Sequence, residues 1–159
     1  DSIEAVVWNI GGVSTKIHQQ GIASEFYLSE RGNSVFDNNS AVWSGKIGLI
    51  YPSDYGYAAA GGKDTNRETC LSREIYNWDN EIDCFNSNYL YKKAYHQWTL
   101  TSRNDISTRI IKIDSRGFVD VGYANVNDIG VRPVLYLKSN LLVFNGDGSE
   151  NSPYKLKVE

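Results

Sequence analysis

Methionine is absent from all 159 residues, the first position included, so a trimmed or mature fragment is expected, with an anchor or export signal removed upstream. No apolar run approaches the ~20 residues of a membrane span, and no signal peptide heads the chain. Membrane association is therefore expected only through such a removed N-terminal segment. Charge of one sign is also missing. The 16 basic and 19 acidic residues are well mixed, with a net charge of −3 and a pI of about 5.4. That balance lacks the basic face of a nucleic-acid binder, so no nucleic-acid partner is expected.

Catalytic signatures are scarce. The chain has no G-x-S-x-G elbow, no HExxH and no Gly-rich loop with a Lys-Ser/Thr phosphate cradle. Its two histidines, His18 and His96, have no nucleophile partner in a motif, and each is expected at the surface or hydrogen-bonded. Carboxylate pairs for glycoside hydrolysis are defined by separation in space and are not legible here. No cofactor is expected. For a metal, neither cysteine sits in a CxxC pair. Asp79-Asn80-Glu81 with Asp83, and Asp147 with Ser149-Glu150, offer oxygen ligands but match no EF-hand loop, and they read as solvated turns.

What is present centres on Gln97 to Leu137. Three apolar stretches, Trp98 to Leu100, Ile110 to Val121 and Val131 to Leu137, are rich in β-branched and aromatic residues and are separated by polar, Gly-containing breaks. Ser115-Arg116-Gly117 is a turn signal, because Gly takes positive φ freely. The pattern predicts an antiparallel meander as the central sheet of one α+β domain spanning 1–159. A chain of this length buries about 70% of the surface it exposes when unfolded. The 11 tyrosines and 4 tryptophans, set among Asn, Ser and Gly, suit a surface that binds other molecules, or equally a β-rich secreted domain with many turns.

Along the chain, residues 3–8 read as a strand closed by Gly11-Gly12. Ile22 to Arg31 reads as a helix with Ile22, Phe26 and Ser29 on one face and Gly32 as terminator. Asn33 to Ser44 is a polar loop, which contains the sequon Asn38-Asn39-Ser40. Lys46 to Tyr51 is a short strand. Ser53 is a plausible N-cap for an Ala-rich helix stopped by Gly61-Gly62. Thr65-Asn66-Arg67-Glu68 fits a capping box opening a helix through about Tyr76. A turn-rich loop, 77–88, follows. The tail alternates again around Asn145 to Ser149, as a closing hairpin. Arg132, flanked by Val131 and Pro133, is expected to tie loops together through backbone carbonyls.

Several of these motifs carry a resemblance. Trp98-Thr99-Leu100-Thr101-Ser102, Asp114-Ser115-Arg116-Gly117 and Gly130-Val131-Arg132-Pro133-Val134-Leu135 resemble, in this order, a domain of bacterial surface proteins of the Gram-positive gut type. That domain is similar to the C-type lectin-like fold, in the branch shared with the sulfatase-modifying (formylglycine-generating) proteins. Pro52-Ser53, Tyr57-Ala58-Ala59 and Gly61-Gly62 resemble a helix of the same branch. Trp8 to Gly12, Glu30 to Gly32, Tyr51 to Ala58 and Val131 to Asn140 resemble pilin-like surface proteins. The resemblance implies a C-type lectin-like fold and an extracellular, cell-surface or pilus location. It does not imply formylglycine generation, whose cysteines lie late in the chain, whereas Cys70 and Cys84 precede the meander. The sugar motifs of calcium-dependent lectins are also missing.

In an exported protein an even cysteine count makes a Cys70–Cys84 disulfide the first expectation, a reduced buried pair the second and redox chemistry the last. In lectin-like folds the loops joining central strands form the recognition surface. Here those are 103–108, offering Arg103, Asn104 and Asp105, and 123–128, offering Tyr123, Asn125, Asn127 and Asp128. They are expected to be exposed, as a ligand site or as solvated hairpin ends. The leading functional reading is a non-catalytic binding or adhesion module, with a glycan or protein on a host or neighbouring cell surface as partner. A structural pilin or pseudopilin head packing on other pilin subunits comes next, then a retroelement-diversified receptor, and an enzyme last.

Overall fold

The computed structural model describes residues 2–10, 12–31, 41–149 and 151–159. In chain order the first half holds β1 (Ile3–Glu4), β2 (Val6–Asn9), α1 (Thr15–Gln20), α2 (Ala23–Arg31), β3 (Val42–Gly45), β4 (Ile47–Leu49) and α3 (Pro52–Tyr57). Then come α4 (Arg67–Ser72), a 3-10 helix (Ile75–Asn80) and α5 (Ile82–Asn86). The second half is β5 (Gln97–Ser102), β6 (Arg109–Ile113), β7 (Val119–Tyr123), β8 (Pro133–Leu137), β9 (Leu141–Asn145) and β10 (Lys155–Val158). The result is a mixed helix and strand architecture with several small antiparallel sheets. No described helix is long and apolar enough to cross a membrane.

The expected meander forms as β5-β6-β7. Its β6–β7 turn is closed by Asp114 N–H to the Phe118 carbonyl (2.8 Å) and Gly117 N–H to the Asp114 carbonyl (2.9 Å), with Gly117 at φ +94°. Ile111, Ile113 and Val119 are fully buried, as their alternation demands. The opposite face of β6 is also covered. Lys112 is buried there and reaches Asp114 (3.0 Å) and Asp120 (3.6 Å), because a charge removed from water must find a counter-charge.

Val131 to Leu137 does not extend this meander, contrary to expectation. β8 leaves it and pairs with β1 on one side and β4 on the other. Period-two alternation specifies a strand but not its partner. The first predicted strand likewise splits: β1 joins β8, while β2 pairs with β3. Arg132, just before β8, donates to the Leu90 carbonyl at 2.8 Å, which is the loop-tying role expected of it.

The helices fill the space behind the meander. α2 forms where expected and buries Phe26 and Ser29, but it also buries Glu30. Its terminator Gly32, the sequon and most of the polar loop lie outside the described residues, and the end of that loop, Val42 to Ser44, belongs to strand β3 (Val42–Gly45). A further helix, α1, is N-capped by Ser14, whose hydroxyl accepts the Ile17 N–H at 3.2 Å. Ser53 is not an N-cap. It lies inside α3, buried against Glu30, and Asp54 accepts the Tyr51 N–H instead (2.9 Å). The second capping residue is Asn66, which accepts the Thr69 N–H at 2.9 Å, so α4 starts one residue later than the Thr65 box implies. α4 ends at Ser72, a 3-10 turn takes its place, and the presumed loop beyond it contains α5. Phe26, Tyr55, Ile75, Trp78, Ile111 and Val119 form the centre of one core, and Tyr55 spans it to donate to the Gly117 carbonyl at 2.7 Å. The Cys70–Cys84 disulfide joins α4 to α5 within that core, with Cα atoms 5.4 Å apart. The tail forms the expected hairpin, β9 against β10.

Candidate functional site

The two predicted loops meet at one end of the meander. β6 lies between β5 and β7, and the Arg109–Tyr123 pair closes its register with β7. Beyond that pair, Ala124 N–H donates to the Thr108 carbonyl at 2.9 Å and holds the loops side by side. Val126 N–H to the Tyr123 carbonyl (3.1 Å) starts the turn that follows. Tyr123 has the same strand parity as Val119 and Val121 but lies past the core, and its ring is 50% exposed. The Arg109 guanidinium stacks on that ring, 3.5 Å from its centroid, a cation–π contact that holds the ring in place. Beside it opens a recess of about 330 Å³, lined by Ser107, Thr108, Tyr123, Ala124 and Asn125. Three hydroxyl-bearing residues, one of them the flat aromatic Tyr123, and one carboxamide residue therefore line this hollow.

Of the residues predicted for the site, the structure brings Tyr123 and Asn125 to this recess. Asn127 and Asp128 are exposed on the turn beyond it and do not line it. Asn104 is exposed, and its backbone N–H is taken by the Val13 carbonyl at 3.1 Å. Arg103 departs from expectation. It is buried, 8% exposed, and its guanidinium forks Asp105 at 2.8 and 2.6 Å. The same guanidinium also donates to Thr15 Oγ1, which in turn donates to Asp105 at 2.6 Å. The hydrogen bond from Arg103, then that from Thr15, holds the Asp105 carboxyl well below the usual carboxylate range. Arg103 and Asp105 thus fasten the β5–β6 loop to the first turn of α1. Ser107 and Thr108 lie within the predicted loop, and nothing local in the sequence separates a recess hydroxyl from a solvated one.

Comparison with family models, curated proteins and solved structures finds no match. A larger cleft, about 400 Å³, opens beside Trp8, Tyr51 and Tyr136. Its cation is already spent: Arg31 forks Asp54 at 2.7 and 2.8 Å and lies over the Tyr51 ring.

The histidines and the acidic residues of the predicted oxygen-rich turns lie elsewhere. His96 Nδ1 accepts the Ser115 N–H (3.2 Å) and lies 3.3 Å from Lys112 Nζ. His18 is buried edge-on to Tyr76, and among the described residues neither ring nitrogen has a hydrogen-bond partner, so it is neither a surface nor a bonded histidine. Its pKa falls to about 4, chiefly through burial and then through the Arg103 charge. Asp83 caps a turn through the Asp64 and Thr65 N–H groups (2.6 and 2.7 Å), and Glu81 pairs with Arg73. Among the described residues no group of three His, Cys, Asp or Glu side chains is placed to hold a metal ion; Glu150 lies outside them.

Proposed function

We propose that this chain is a non-catalytic binding module of an extracellular or cell-surface protein, and that it recognises a glycan or a polar protein epitope at the Tyr123 recess. The observation that carries this reading is the Tyr123 ring, clamped by Arg109 at 3.5 Å and bordered by Ser107, Thr108 and Asn125. A rigid aromatic plane beside short hydrogen-bonding side chains offers a large contact at low entropy cost, which suits sugar rings and polar epitopes. A C-type lectin-like arrangement is the finer fold reading, supported by short helices packed behind an antiparallel meander with its recognition loops at one end. Location outside the cell is supported by the Cys70–Cys84 bridge, since disulfides persist in oxidising compartments. The non-catalytic part is supported by the histidines, one buried and one held by Ser115 and Lys112.

A glycan array probed with the labelled chain tests the reading, with immobilised surface proteins as a second panel. Tyr123→Ala and Asn125→Ala are expected to abolish any hit while the chain stays folded; the Asn125 change shifts stability by under about 0.5 kcal/mol, and the Tyr123 change costs about 0.5–1 kcal/mol through the lost Arg109 contact. A hit retained in full by the folded double variant would remove the recess from consideration.

A further inference from the structure

The recess leaves one surface unexplained, the outward face of the β1-β8-β4 sheet. Cross-strand partners share a face, and Ile3 pairs with Leu137, Ile47 with Leu135, and Leu49 with Pro133. The opposite face is turned only in part toward the protein, since Tyr136 on it is itself 46% exposed. There Tyr136 packs on Trp8 with centroids 5.4 Å apart, Val134 packs against the core, and a Cβ on Gly48 would sit 2.6 Å from the Trp8 ring. The sheet therefore presents a wholly apolar row outward, and Ile47, Leu135 and Leu137 are 52%, 45% and 44% exposed. An antiparallel sheet with one wet face normally sets polar residues there.

A second surface of the same kind follows directly. In the β9–β10 hairpin Leu141 pairs with Val158 and Val143 with Leu156, which makes one face aliphatic; Lys157, opposite Leu142, belongs to the reverse face. No residue of either strand is buried, and Val143 and Val158 are 58% and 62% exposed. A two-stranded hairpin left uncovered is marginally stable in water.

We propose that the two surfaces cover each other between two copies of this chain. The aliphatic face of one hairpin seats on the Ile47-Leu135-Leu137 face of the partner copy, and the contact is repeated by a two-fold axis. Neither row contains a charged side chain, and every copy carries both rows, so a second copy offers each row an apolar partner. Size agrees: with both contacts made twice, half-exposed aliphatic side chains and their backbone bury on the order of the ~1,200 Å² at which specific interfaces begin. The turn between β8 and β9, residues 138–140, is too short to fold the hairpin back over its own sheet, and among the described residues both rows stay open. The contact shares no residue with the Tyr123 recess and stands or falls separately from it.

Sedimentation velocity of the 159-residue chain across micromolar concentrations reads the assembly. The expected result is a concentration-dependent dimer that Leu135→Glu and Val143→Glu each convert to monomer. Both sites are exposed in one copy, and circular dichroism checks each fold. Independently of the variants, lysine cross-linking of a mixture of unlabelled and nitrogen-15-labelled chains is expected to join Lys155 or Lys157 of one copy to Lys46 of the other. A wild-type monomer at every concentration overturns the proposal, as does a dimer that both variants leave intact. Binding of a monomer to phosphatidylglycerol vesicles in place of self-association overturns it too.

Discussion

Arg103 and Asp105 stand two residues apart, yet their ion pair serves a contact 88 positions distant in sequence, the Thr15 hydroxyl at the start of α1. Together with Arg103 N–H to the Arg109 carbonyl (2.9 Å) and Val13 N–H to the Ser102 carbonyl (2.9 Å), it fixes the base of the loop that carries Ser107 and Thr108.

Arg103→Ala is therefore expected to destabilise, because it strips a buried guanidinium from Thr15 and Asp105. Losses of this kind cost about 1–3 kcal/mol. Urea unfolding measures it, against Asn104→Ala as a nearly silent exposed control. Equal midpoints for the two variants would count against the role given to Arg103.

The Cys70–Cys84 bridge closes a 14-residue separation, and both sulfur-bearing residues are fully buried. On the chain-entropy model such a link contributes about 3 kcal/mol. The oxidised chain should show a mass two hydrogens below the reduced one. Native protein should resist alkylation until it is unfolded in reductant. Two freely alkylated thiols in a folded, oxidised preparation would contradict the bridge.

His18 links stability to acid. Its folded pKa, about 4, lies below the ordinary 6.5, so the folded state holds the ring neutral while the unfolded chain takes up a proton. Stability from this group is complete above pH 6.5 and is lost as pH falls toward 4, by roughly 2–4 kcal/mol in total. The groups facing it are Arg103, Asp105, Asp120 and Tyr76, of which the two carboxylates temper the loss. His18→Phe should flatten that part of the stability–pH curve; an unchanged slope would mean that the ring is solvated.

Glu30 acts with the opposite sign. Burial raises its pKa from 4.5 to about 8, against the hydrogen bond from Ser53 and the charge of Arg31. The carboxyl is thus protonated when folded near neutrality. Its contribution is complete below pH 4.5 and declines as pH rises through 8. Between 4.5 and 6.5 the His18 and Glu30 slopes oppose one another, so the Glu30 effect is clearest from 6.5 to 8. Glu30→Gln, which keeps an acceptor for Ser53 and gains a donor for Thr101, should remove that decline. Unfolding free energies of both proteins at pH 6.5 and 8 make the comparison.

Much of the local architecture is legible in the chain itself. Alternation marks β5, β6 and β7, Gly117 marks their turn, Phe26 and Ser29 mark the buried side of α2, and the tail reads as a hairpin. These features depend on residues a few positions apart, where periodicity and turn chemistry act directly. The pairing of Cys70 with Cys84 was also legible, since only two cysteines exist. Tertiary structure decided the rest. Val131 to Leu137 is a strand by pattern, but its place between β1 and β4 depends on segments more than 80 positions away. Arg103 and Tyr123 look alike as polar loop-end residues, and only the Thr15 contact buries one while the other stays open beside Asn125. Likewise nothing in ASEFYLSER distinguishes Glu30 from an exposed helix residue until Ser53 and Thr101 close over it. Burial is a property of what packs against a side chain, and that partner is chosen by the whole fold.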